Sequence, residues 1–126
     1  MKPDFSIYSL ALFENGKIVY SSNHSGLRPL VLCLSKYKEG PYELHDKVIG
    51  LAAAKLIVNS NVIKTLKTNL ISKPALDYLK GLLELDYREL VENILTKDKT
   101  DICPMEKKAI ELPTKDFINH IRTIFR

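Results

Sequence analysis

The dipeptide Asn15-Gly16 restricts this chain more than any other feature, because it stands between two β-prone runs, residues 5–13 (Phe-Ser-Ile-Tyr-Ser-Leu-Ala-Leu-Phe) and 18–22 (Ile-Val-Tyr-Ser-Ser). Both residues tolerate the positive φ angles of a tight hairpin turn, so the spacing predicts an antiparallel β-hairpin. Beyond residue 22 the chain alternates between helical and extended character. Leu27-Arg28-Pro29-Leu30 opens an apolar stretch at helical spacing as far as Tyr37, with Pro29 suited to a first helical turn. Cys33 falls on the apolar side of that helix and reads as a small core residue. Gly40-Pro41 marks a turn across 38–44, after which Asp46 fits the N-cap of a helix over 46–58 whose Gly50, Ala52, Ala53 and Ala54 give it a surface of small residues.

Residues 61–71 are rich in β-branched side chains and predict a strand. Ser72 then caps a helix with Pro74 in its first turn, continuing through Leu76, Leu79, Leu82 and Leu83. A short strand at 85–87, a short helix at 88–95 and a polar loop at 96–101 come next. Cys103-Pro104-Met105-Glu106 starts another helix, and 114–125 is amphipathic, with Phe117, Ile118, Ile121, Ile124 and Phe125 on one side. This order of elements is that of a layered α/β domain.

A chain of 126 residues with 45% hydrophobic and 27% charged residues is the size of one domain, and it can bury a core without disulfides or a structural metal. Cys33 and Cys103 stand far apart with no CxxC pair, which speaks against a disulfide scaffold or a cysteine zinc module. Met1-Lys2-Pro3-Asp4 lacks the apolar core of a signal peptide, and no stretch reaches the length of a membrane span, so a cytoplasmic protein without membrane contact is expected. The net charge of +4 is spread as single basic residues among acidic ones, the pattern of a solvated surface rather than of a phosphate-binding stripe, and nucleic acid is not the expected partner. The local basic excess, at Lys107, Lys108, Lys115, Arg122 and Arg126 against Glu111 and Asp116, also suits the end of a terminal helix.

No phosphate-binding glycine loop, HExxH or GxSxG occurs, and His24, His45 and His120 are too far apart to form a local metal triad. Two segments could carry chemistry. His45-Asp46-Lys47, read as a helix start, would offer free amides and the Lys47 charge to a phosphate or carboxylate, although Asp46 competes for the same amides. Cys103-Pro104-Met105-Glu106 places a thiol at a helix start, where amides favour the thiolate, and puts Glu106 in position to reach back to the cap residue's amide as in a capping box.

Together, Asn15-Gly16-Lys17, Gly26-Leu27-Arg28-Pro29-Leu30, Asp46-Lys47-Val48-Ile49-Gly50 with Ala52-Ala53-Ala54, and Cys103-Pro104-Met105-Glu106 resemble a small prokaryotic family of unknown function placed in the cytidine deaminase-like fold. The resemblance covers about residues 5–110 and leaves the C-terminal helix outside. It implies a single α/β domain, a three-layer α/β/α arrangement around a central mixed sheet. Zinc deaminases of that fold carry a His or Cys with a Glu two residues on at one helix start, and Pro-Cys-x-x-Cys at the next. The matching places here read His45-Asp46-Lys47 and Pro74-Ala75-Leu76-Asp77-Tyr78, so neither a zinc cofactor nor zinc-dependent deamination is expected. A further departure lies after Ile94, where Thr96-Lys97 stands in place of the family's usual Asn-Arg pair. The resemblance points to a small anionic or nucleotide-like ligand held by Asp46, Lys47, Cys103 and Glu106, with Cys103 as the candidate catalytic group. A non-catalytic interaction module using the C-terminal helix, and a redox or acyl-transfer centre at Cys103, are the alternatives. A homo-oligomer is left open.

Overall fold

The computed structural model describes residues 1–96 and 98–125. Its elements in chain order are β1 (Leu10–Glu14), β2 (Lys17–Ser22), α1 (Arg28–Lys36), β3 (Tyr42–Ile49), α2 (Leu51–Ser60), β4 (Ile63–Ser72), α3 (Lys73–Leu79), β5 (Glu84–Val91), α4 (Pro104–Glu111) and α5 (Thr114–Ile124). The hairpin forms as the turn chemistry demands. Asn15 and Gly16 adopt φ of 51° and 81°, and Glu14 pairs with Lys17 across the turn.

The fold is α/β: a five-stranded mixed sheet, order β2-β1-β3-β4-β5, flanked by helices, as expected for the three-layer α/β/α class. β1 runs antiparallel to both its neighbours, whereas β3, β4 and β5 are mutually parallel. Parallel neighbours cannot be joined by tight turns, so α2 and α3 serve as the crossovers. α2 is the centre of the packing. Its first seven residues are all buried, and it touches α1, α3, α4 and α5 as well as β3 and β4. Ala52, Ala53 and Ala54 let these neighbours approach closely.

Four expectations are overturned. Residues 42–49 are strand β3 rather than turn and helix, because their amides and carbonyls are taken on both sides, by β1 (Leu10↔Asp46) and by β4 (Asp46↔Thr68). The helix begins only after Gly50. Residues 88–91 belong to β5, where Glu89 and Leu90 pair with Leu70 and Ile71 of β4, so no helix forms there. α3 ends at Leu79, ahead of Gly81 at φ 79°, which leaves Leu82 60% exposed rather than on the helix. The first strand likewise starts at Leu10, and residues 5–7 form a turn.

Phe117, Ile118 and Ile121 of α5 are buried in the main core with Leu12, Leu44 and Leu66, so the C-terminal helix is part of the domain. Lys55 of α2 is buried beneath it. Its ammonium donates to the carbonyls of Ala109 at 2.6 Å and Leu112 at 2.8 Å, satisfying the end of α4. On the far face of the sheet Tyr8, Ala11 and Phe13 form a second small cluster with Phe5.

Candidate functional site

β3 ends at Ile49, Gly50 is extended at φ −101° and ψ −176°, and α2 starts at Leu51 with amides that have no partner inside the helix. Those amides are taken by Glu106. Its carboxylate accepts from Leu51 N–H at 2.7 Å and from Ala52 N–H at 2.9 Å. The capping box expected for Glu106 therefore does not form. Glu106 satisfies the start of α2, some 55 residues away in sequence, and Cys103 makes no side-chain cap of its own helix. Burial raises the Glu106 pKa above the usual carboxylate value despite the two amide bonds. The anion-binding corner that a helix start offers is thus already filled by the protein's own carboxylate.

Asp46 is half-buried in the middle of β3, not at a helix start, and lies on the α1 side of the sheet, near enough to Cys33 for its charge to act on that thiol. Desolvation pushes its carboxyl up to about 8, against the opposing pull of the Val48 and Lys47 amides. The buried Cys33 thiol is driven up to about 12 by desolvation and then by Asp46. Lys47 is exposed, one position along a strand whose side chains alternate between faces, which parts it from Asp46. No hydrogen bond or ion pair among the described residues joins Asp46 or Lys47 to Cys103 or Glu106. Cys103 is half-buried at the N-cap of α4, its own amide donating to the Ile94 carbonyl at 2.9 Å. Lys97, the second residue of the Thr96-Lys97 pair, and Arg126 lie outside the described residues.

The sequence did not single out the network on the other face. His45 is fully buried, its ring 4.4 Å from that of Phe13. Nδ1 lies 2.8 Å from the Tyr8 hydroxyl, and Nε2 lies 2.6 Å from Glu43, whose carboxylate is also 3.8 Å from the Lys67 ammonium. Because a carboxylate only accepts, the neutral ring carries its proton on Nε2 and accepts from Tyr8 at Nδ1. Desolvation lowers the His45 pKa, in spite of the raising influence of Glu43. The signal that marks the pair is the period-two spacing of Glu43 and His45, legible once 42–49 is known to be a strand.

Zinc does not fit the residues present. α2 opens on Gly50-Leu51-Ala52 and α3 on Ser72-Lys73-Pro74, with Ser72 accepting from Ala75 N–H at 3.3 Å, and neither start carries an imidazole or thiolate. Among the described residues no group of three or more His, Cys, Asp and Glu side chains comes together. No described helix is long and apolar enough to cross a membrane.

Two comparisons with known proteins bear on this arrangement. The model of a domain of unknown function, DUF1893 (TM1506), matches residues 5–124, a stretch that includes α5. The chain is also similar to the crystal structure of a DUF1893 family protein (TM1506) from Thermotoga maritima, with 27% identity, a TM-score of 0.84, and coverage of 95% of this chain and 82% of that one. No curated protein matches.

Proposed function

We propose, on the premise that this chain belongs to the DUF1893 family of unknown function, that it binds a small nucleotide-like molecule at the carboxyl ends of β2 and β3, with Asp46 as the polar contact. Asp46 carries the proposal. A half-buried carboxylic acid, desolvated to a pKa of about 8, is largely protonated near neutrality. It offers one donor and one acceptor side by side. That pair complements the amide-like edge of a nucleobase, and the surrounding side chains of the α1 side are apolar. In open α/β sheets ligands sit outside the carboxyl ends of the strands, the edge at which α1, α2 and α3 all begin.

The mixed sheet in which β1 alone opposes its neighbours is in keeping with a cytidine deaminase-like architecture, in which the same edge holds the ligand. The anionic half of the expected ligand has less support, since Glu106 occupies the α2 amides. An enzymatic version has one observation in its favour, for a group that exchanges its proton near neutrality suits general acid–base work. The interaction-module alternative is weakened because Phe117 and Ile121 are buried in the core. For a Cys103 centre, no hydrogen-bonded base stands beside the thiol among the described residues.

Amide NMR titration with nucleobases, nucleosides and nucleoside monophosphates tests the reading. Saturable shifts around residues 44–50 are expected, lost in Asp46→Ala, partly kept in Asp46→Asn, and unaffected by Lys47→Ala. Absence of saturable shifts with every probe, or shifts indifferent to Asp46→Ala, would overturn it.

A further inference from the structure

A cleft of about 360 Å³ opens between α1, α2 and α5, near the carboxyl ends of all three. Its floor is apolar, built from Leu34 of α1, Leu56 of α2, and Ile118 and Phe125 from α5 and its end. Its polar margin contains Lys38 and Arg122, and no acidic side chain lines it. The volume is at the small end of the range for small-molecule sites.

Each of the three helix ends carries a partial negative charge that attracts cations by itself. Among the described residues, only at the end of α2 do local donors answer the terminal carbonyls: the Ser60 hydroxyl reaches that of Ile57 at 2.6 Å, and Asn61 N–H that of Val58 at 3.1 Å. Lys38 and Arg122 enter no ion pair among the described residues. An apolar floor with a cationic margin that no carboxylate among the described residues neutralises complements a hydrocarbon body bearing one negative group. We infer that this cleft binds a small amphipathic carboxylate, its chain on Leu34, Leu56 and Ile118 and its carboxylate against Arg122 and Lys38. The guanidinium supplies the bidentate geometry and the lysine a second charge.

The cleft is at the carboxyl ends of α1 and α2, the opposite ends from Asp46, so its fate is independent of the nucleotide-site reading. The test compares octanoate, octanol and octylamine by methyl and amide NMR on the full chain. Octanoate is expected to give saturable shifts at Leu34, Leu56 and Ile118, with octanol and octylamine binding at least about tenfold more weakly, as the loss of a charge-assisted pair implies. Arg122→Glu should abolish octanoate binding and Lys38→Gln weaken it. Both residues are exposed, so the fold is retained, which the unchanged amide spectrum of the remaining chain verifies. No saturable shift with octanoate, equal binding of the three probes, tighter binding of octylamine, or indifference to Arg122→Glu would each overturn the proposal.

Discussion

Glu106 and Gly50 share one space: the Glu106 carboxyl lies where any Cβ on Gly50 would stand, and from there it holds the first two amides of α2 at 2.7 and 2.9 Å. The glycine is needed for room rather than for a special φ, since its backbone is extended. α4 is thereby fastened to the start of the most buried helix in the domain.

Gly50→Ala should cost about 2 kcal/mol or more, because the carboxylate has to leave its amides to admit the methyl group. Glu106→Ala should cost a similar amount, and the double variant clearly less than the two single costs added, since both remove one arrangement. Urea denaturation of the three variants measures this, and additive costs would contradict it.

Asp46 makes stability fall as pH rises. Its folded pKa of about 8 lies above the usual 3.8, so between these values the folded state holds the proton that the unfolded state releases, and ionisation works against folding. Asp46→Asn should therefore stabilise the protein at pH 9, by about 1–3 kcal/mol once solvent access is allowed for, and have little effect at pH 4. Urea melts at both pH values test the sign; an equal effect at the two would refute it.

His45 acts in the opposite direction. Its folded pKa is lowered, so the unfolded chain takes up a proton first, and stability is lost as pH falls below about 6.5. Tyr8→Phe leaves Nδ1 buried without its donor and should cost about 1–2 kcal/mol at pH 7. Long-range ¹⁵N NMR of the imidazole should find the proton on Nε2; protonation at Nδ1 would invert the assigned network.

The two thiols should separate cleanly toward iodoacetamide. Cys33 is fully buried with its pKa pushed up to about 12, and stays unmodified in the folded protein, whereas the half-buried Cys103 reacts. Mass spectrometry after native alkylation should show one adduct, on Cys103, and two after unfolding.

Phe117 is fully buried between α5 and the core, beside the Lys55 ammonium at 5.8 Å. Phe117→Ala should cost about 3–4 kcal/mol, and deletion of 113–126 should prevent folding rather than expose a partner surface. A stable, folded truncated domain, seen by circular dichroism, would show that α5 is dispensable.

What the sequence determined by itself rests on local chemistry. Asn15-Gly16 fixed the hairpin, Pro29 the start of α1, Ser72 and Pro74 the start of α3, Cys103-Pro104 the start of α4, and the apolar stripe the face that α5 buries. Each depends on a few consecutive residues and is legible wherever they occur. Asp46 looked equally persuasive as a helix cap, and there the local signal lost, because 42–49 find backbone partners in β1 and β4 on both sides, partners a linear sequence does not display. The same reason hid β5 beyond Tyr87, the joining of Glu106 to Leu51, the Lys55 contacts with α4, and the Tyr8–His45–Glu43 chain. Residue types mark which groups can bond; only the tertiary structure decides which distant group is close enough, and dry enough, to do so.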